Sequence, residues 1–212
     1  MTCTAAILTG GRARRFGGRD KSALDVGAQS ILDRQLAVLR AVTPHVLIIG
    51  DRPAPAGTRV VADRRPACGP LGGLYTALLE ARTDQVLLLA CDMPFVTAPF
   101  LRFLIDAGRD ADAAVVRTED GRHPLCASYR RTCTDAIVRR LDSGRLAMSG
   151  LLEEVRVREV TPQEVARYGR EEMLLFNINT PDDYARAGTL AGREARSAPH
   201  DEARERPSRT EA

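Results

Sequence analysis

Short apolar runs alternate with helix-length amphipathic stretches along most of this chain, a pattern that predicts an α/β fold on a mainly parallel sheet. Thr4 to Leu8 reads as the first buried strand, with Val46 to Ile49 and Arg59 to Ala62 as the second and third. Between the first two, Ser30 to Val42 places Ile31, Leu32, Leu36, Leu39 and Val42 near helical spacing, and Pro44 closes the segment. Leu71 to Ala81 reads as a helix opened by Gly69-Pro70, since a proline in the first turn gives up an N–H that has no intrahelical partner. Val86 to Ala90 is the most apolar strand and is expected at the centre of the sheet.

Ala98 to Ala107 and Thr132 to Leu141 read as further helices, and Ala113 to Arg117 and Leu125 to Tyr129 as strands paired antiparallel across a turn at Thr118 to His123. Val155 to Val160 alternates with charge like an edge strand. Asn177-Ile178-Asn179 then leads into a capped helix beginning at Thr180-Pro181-Asp182-Asp183. Order is expected to end near Ala187, giving one domain over residues 1–187. The remainder, Gly188 to Ala212, is rich in Arg, Glu, Ala, Ser and Pro and is expected to be a disordered tail.

With 212 residues, 44% of them apolar, the chain can bury one substantial core. A net charge of +3, scattered arginines and only 4% aromatic residues argue against a nucleic-acid groove. The N-terminus lacks a basic n-region, and no apolar run approaches the roughly 18 to 20 residues of a membrane span, so neither secretion nor membrane insertion is expected. Cys3, Cys68, Cys91, Cys126 and Cys133 form an odd set without C-x-x-C spacing, which fits reduced thiols in a cytoplasmic protein. Composition sharpens at one point: of the 31 basic residues a single one, Lys21, is lysine. In an arginine background, a lone ammonium suggests a place where a compact point charge serves better than a guanidinium fork.

That lysine ends a glycine-rich loop, Leu8-Thr9-Gly10-Gly11-Arg12-Ala13-Arg14-Arg15-Phe16-Gly17-Gly18-Arg19-Asp20-Lys21, which follows the first strand where α/β sheets open their ligand crevice. Paired glycines let successive amides approach phosphate oxygens without an intervening Cβ, and Arg15 and Lys21 can neutralise charge. It is neither a Walker loop, because Asp20 precedes the lysine, nor a G-x-G-x-x-G fingerprint. Asp92 ends the most apolar strand and should project into the same crevice. Asp63 follows the third strand beside Arg64 and Arg65, with either of which it can form an ion pair.

Leu8-Thr9-Gly10-Gly11, Arg15-Phe16-Gly17-Gly18 and Asp20-Lys21 resemble the signature loop of the molybdenum cofactor guanylyltransferases. Gly69-Pro70-Leu71-Gly72-Gly73-Leu74, Cys91-Asp92-Met93-Pro94-Phe95, His123-Pro124-Leu125 and Asn177-Ile178-Asn179-Thr180-Pro181-Asp182-Asp183 resemble later motifs of that family in the same order, across residues 4 to 187. Thr9 and Phe16 stand where the family has alanine and methionine, and the asparagine that ends the family's second strand has no counterpart, leaving Asp51 as the substitute.

The resemblance implies a three-layer, Rossmann-like nucleotidyltransferase fold, with helices on both faces of a mixed sheet. It implies GMP transfer from GTP to the phosphate of molybdenum-bearing molybdopterin, with transient contacts to other molybdenum cofactor proteins. Leu8, Thr9, Gly10, Gly11, Lys21, Asp51, Asp63 and Asp92 would bind the nucleotide, Lys21, Arg15 and Asp92 would carry the catalysis, and Asp92 would hold Mg²⁺. His123, Asn177 and Asn179 are candidates near the acceptor, against helix capping for Asn179 or Thr180. A cytidylyl- or sugar-nucleotide transferase of the same fold and a catalytically silent nucleotide-binding protein are the alternatives.

Overall fold

The structure, a computed structural model, describes residues 3–9 and 21–197. β1 (Thr4–Leu8) is buried along its whole length, and a hairpin of β2 (Asp25–Val26) and β3 (Gln29–Ser30) follows. The hairpin turns at Gly27, whose φ of +71° suits glycine. Ser30 then caps α1 (Ile31–Arg40), its Oγ accepting the Asp33 N–H at 3.1 Å. β4 (His45–Ile49), β5 (Arg59–Val61), α2 (Gly69–Glu80), β6 (Gln85–Ala90) and α3 (Ala98–Ala107) complete the first half. The second half comprises β7 (Ala113–Thr118), β8 (Gly121–Arg130), α4 (Thr134–Asp142), α5 (Met148–Leu152), β9 (Val157–Val160), α6 (Pro162–Val165), α7 (Glu171–Leu174) and α8 (Pro181–Ser197).

Seven strands form one sheet in the order β5-β4-β1-β6-β8-β7-β9. Only β8 runs against its neighbours β6 and β7; the other pairings are parallel. As expected, β6 is the middle strand, and all six of its residues are buried because helices cover both sides. Side chains alternate between two cores. Ala5, Ile7, Val46, Ile48, Leu87 and Leu89 meet α1 and α3 on one face, while Ala6, Leu8, Leu47, Ile49, Val86 and Leu88 meet α2, α4 and α5 on the other. The result is the three-layer arrangement.

Two boundaries differ from the sequence reading. β8 begins at Gly121, whose φ of +116° tightens the turn to Glu119-Asp120, so His123 lies within the strand instead of in a loop. α8 runs to Ser197, ten residues past the expected end of order at Ala187. Large apolar residues are indeed scarce there, but Ala187, Leu190 and Ala191 recur at helical spacing and pack against a third cluster containing Val26, Ile31, Phe95, Phe176 and Ile178. Spacing, not bulk, docks this helix. Residues 198–212 of the expected tail lie outside the described residues.

Candidate functional site

The parallel strands β5, β4, β1 and β6 lie side by side and end together, so the segments after Val61, Ile49, Leu8 and Ala90 share one rim. Thr9, Gly50-Asp51, Asp63 and Cys91-Asp92 therefore line the carboxyl edge, where open α/β sheets take ligands. Backbone bonds continue the ladder past the strand ends: Thr9 N–H to Ile49 C=O at 3.0 Å, Gly50 N–H to Val61 C=O at 2.9 Å, and Cys91 N–H to Leu8 C=O at 3.2 Å. A cavity of about 210 Å³ lined by Pro44, His45, Arg59 and Arg82 opens at the opposite edge, away from this convergence.

Asp92 is half-buried and its backbone is fixed on several sides. Its C=O accepts the Ile178 N–H at 2.9 Å, which ties the Asn177-Ile178-Asn179 segment to the rim. Beneath it, the Gln35 side chain of α1 donates to Ala90 C=O at 2.7 Å and to Met93 C=O at 3.1 Å. Arg34 donates to Pro94 C=O at 3.1 Å and lies over the Phe95 ring. Among the described residues no three His, Cys, Asp or Glu side chains converge as an all-protein metal cage. A single carboxylate at the rim instead fits Mg²⁺, which is held by one or two carboxylates together with substrate phosphates and water.

Asp63 does not pair with its neighbouring arginines. Its Oδ1 accepts the Arg65 N–H and the Thr76 hydroxyl, each at 2.9 Å, while Arg64 pairs with Glu80 and Arg65 with Asp142. Thr76, fully buried on α2, also accepts the Arg64 N–H at 3.0 Å. The loop is thereby bound to the helix, and the start of α2 is pressed against the sheet: a Cβ at Gly73 would lie 2.8 Å from Leu8 Cδ2, and one at Gly72 would lie 2.7 Å from Arg65 O. Only glycine permits that approach, which brings the positive end of α2 to the rim.

Asp51 is exposed after β4. Beside it, Arg52 donates to the fully buried Ser22 hydroxyl, in the short 3₁₀ turn Lys21–Ala23. The backbone at Lys21 is thus moored to the rim between β4 and β5. Gly10, Gly11 and Arg15 lie outside the described residues, as does the Lys21 side chain.

His123 sits where β8 breaks register. Val116 pairs with His123 but Val115 with Ala127, so Pro124, Leu125 and Cys126 are extra residues that bulge beside the carboxyl end of β6. The bulge is held by Tyr129 Oη donating to Pro124 C=O at 2.8 Å, and His123 Nε2 lies 3.0 Å from Thr118 Oγ1. Burial depresses the His123 pKa below its ordinary value, favouring the neutral ring. Capping accounts for part of the last motif: Asp183 accepts the Asn179 and Thr180 N–H groups, and the Thr180 hydroxyl accepts the Asp183 N–H. Asn177 Nδ2 donates to Leu175 C=O at 2.9 Å. Sequence reasoning missed Gln35, Thr76 and Gly50; the one signal available was a glutamine interrupting the apolar stripe Ile31, Leu32, Leu36, Leu39.

A doubly covered α/β sheet with Asp92 at its carboxyl rim, next to the end of β1, is a frame that suits a nucleotidyltransferase. The profile of the MobA-like NTP transferase domain matches residues 5–159, and the chain belongs to that family. A probable molybdenum cofactor guanylyltransferase of Pelotomaculum thermopropionicum is 34% identical over 194 residues, covering 90% of this chain and 94% of the relative. The molybdenum cofactor guanylyltransferase of Desulfosudis oleivorans is 30% identical, covering 90% and 97%. In shape, the chain is similar to molybdopterin-guanine dinucleotide biosynthesis protein A of Archaeoglobus fulgidus, with a TM-score of 0.78 at 24% identity over 90% of this chain and 99% of the other. It is also similar to 2-C-methyl-D-erythritol 4-phosphate cytidylyltransferase of Thermus thermophilus, with a TM-score of 0.70 at 19% identity over 91% and 100%. These two likenesses establish the fold.

Proposed function

We propose that this chain transfers GMP from GTP to the terminal phosphate of molybdenum-bearing molybdopterin, releasing pyrophosphate and forming the guanine dinucleotide of the cofactor. The guanylyltransferase relatives, aligned over nine-tenths of the chain, carry the choice of substrates. In the structure, the observation that supports transfer chemistry is Asp92, fixed at the end of β6 and flush with the end of β1, from which the glycine loop departs. An acceptor phosphate oxygen attacks the α-phosphorus of GTP, and the bond to the bridging oxygen of the departing pyrophosphate breaks. Both substrates bear their reacting groups, so no protein nucleophile is required. Gly10 and Gly11 offer amides to the phosphates, Arg15 and Lys21 balance charge on the leaving group, and Asp63 and Asp51 serve the nucleoside end.

Asp92 would hold Mg²⁺, which when bound neutralises charge building on the phosphates. A cytoplasmic setting suits the five cysteines, which form no disulfide, and contacts to other molybdenum cofactor proteins are expected to be transient.

Incubation with Mg²⁺ and each of four labelled nucleoside triphosphates, with and without molybdopterin, tests the reading. Pyrophosphate release that needs both GTP and acceptor is expected, and release with CTP instead overturns the base assignment. Lys21→Ala should lower turnover by about 10²-fold or more with an unchanged melting temperature, since it removes charge stabilisation from the transition state and a loop lysine carries little folding energy. Unchanged turnover in that variant overturns the role of Lys21. Chelation of the divalent ion should abolish transfer reversibly.

A further inference from the structure

Gln35 stands fully buried in the stripe of α1 that otherwise carries Ile31, Leu32, Leu36 and Leu39. Its Nε2 meets two carbonyl oxygens, which fixes the amide orientation: both acceptors demand the NH₂ end. These carbonyls belong to Ala90 and Met93, so they bracket Cys91-Asp92. The Oε1 atom is buried and has no hydrogen-bond partner among the described residues. A buried acceptor left unmade is destabilising, and a methionine of similar length would avoid that cost but give up both bonds to the turn. What the amide contributes is therefore the hold on these two carbonyls, not the filling of the apolar layer.

We propose that Gln35 is a positioning residue: by holding the two carbonyls that flank Cys91-Asp92, it sets the direction in which the Asp92 carboxylate meets the divalent ion. This rests on the reading of Asp92 as the metal carboxylate. The clamp acts from below while the Ile178 N–H holds the Asp92 carbonyl from another side, so the turn has two independent anchors, and Gln35 supplies the one rooted in α1. Loss of the amide leaves the fold in place and lets the turn relax.

The test compares wild type with Gln35→Met and Gln35→Glu, using Asp92→Asn as a control. Melting temperature, metal-free binding of a non-hydrolysable GTP analogue, Mn²⁺ affinity of that complex by electron paramagnetic resonance, and kcat and KM are measured. For Gln35→Met the expectation is a melting temperature lowered by no more than a few degrees, the lost bonds to Ala90 and Met93 being partly offset by removal of the unmade acceptor, with metal-free nucleotide affinity within about twofold and roughly tenfold or greater losses in Mn²⁺ affinity and kcat, the range seen when a residue behind a metal ligand is removed. Gln35→Glu, which turns an acceptor toward Ala90 and Met93, should lose Mn²⁺ affinity at least as far. Wild-type Mn²⁺ affinity and kcat in Gln35→Met, or a loss of metal-free nucleotide affinity as large as the loss of Mn²⁺ affinity, overturns the proposal. If Asp92→Asn keeps wild-type Mn²⁺ affinity, the metal assignment of Asp92 itself falls, and the positioning role with it.

Discussion

Thr9 and Gly50 share one volume at the rim. Thr9 Oγ1 donates to Ile49 C=O at 3.1 Å, and a Cβ at residue 50 would lie only 2.2 Å from Thr9 Oγ1. Thr9 is thus accommodated by a glycine just after the neighbouring strand. Gly50→Ala should destabilise the fold by about 1–3 kcal/mol through overpacking. Adding Thr9→Ala should recover the steric part, leaving only the strain of the positive φ, and a double-mutant cycle by chemical denaturation reads the coupling directly. Additive costs would contradict the shared volume. Thr76 presents a second case. Replacing it by valine keeps the shape but leaves the Arg64 N–H without its acceptor and removes one donor from Asp63, at a cost of about 1–3 kcal/mol. Because Asp63 then loses its hold on α2, nucleotide KM should rise severalfold while Thr76→Ser stays near wild type in steady-state assays.

Among the elements, the buried strands were the most legible. Thr4–Leu8 and Gln85–Ala90 announce themselves as continuous apolar runs because each is covered on both faces. The place of Asp92 at the rim was legible for the same reason, as the first acid after such a run. The hairpin at Asp25–Ser30 and the short helices α5, α6 and α7, of four or five residues, were not: barely one turn shows no periodicity. Asp63 could be located but its state could not be read, since its donor Thr76 is thirteen residues away on another element. α6 also carries a pH-dependent contribution. Glu164 forms a capping box with Thr161 and pairs with Arg158, and hydrogen bonds from Arg158 first and the Thr161 N–H second lower its pKa from 4.5 to about 2. Folding favours the ionised form, so this contribution is complete above the ordinary value and drains away as pH falls toward 2. The difference in melting temperature between wild type and Glu164→Gln should therefore be steady near neutral pH and shrink between about pH 4.5 and 2. A difference that persists undiminished at pH 2 would assign the effect to packing.

At the scale of the whole molecule, the third cluster joins parts of the site that the sheet alone does not connect. It contains Val26, just after the turn that carries Lys21, Phe95, just after Asp92, and Phe176, which meets Phe95 edge-to-face at a centroid distance of 5.8 Å. α8 covers it with Ala187, Leu190 and Ala191, and a Cβ on Gly27 would sit 3.5 Å from that of Ala191, so the hairpin rests on the last helix. The exit of the glycine loop is in turn moored by Arg52 to the rim after β4. A chain ended at Ala187 keeps the sheet but uncovers Val26, losing about 1–3 kcal/mol of apolar burial, whereas one ended at Ser197 keeps the described contacts of the cluster. The shorter chain should show a raised KM for GTP with a smaller change in kcat, because the loop exit is loosened while the Asp92 turn retains its anchors on α1 and at Ile178. Ala191→Asp, which places a charge against the hairpin in the full-length chain, should reproduce that split. Equal losses in kcat and KM-dependent turnover would instead show that α8 supports the Asp92 side of the crevice as strongly as the phosphate side.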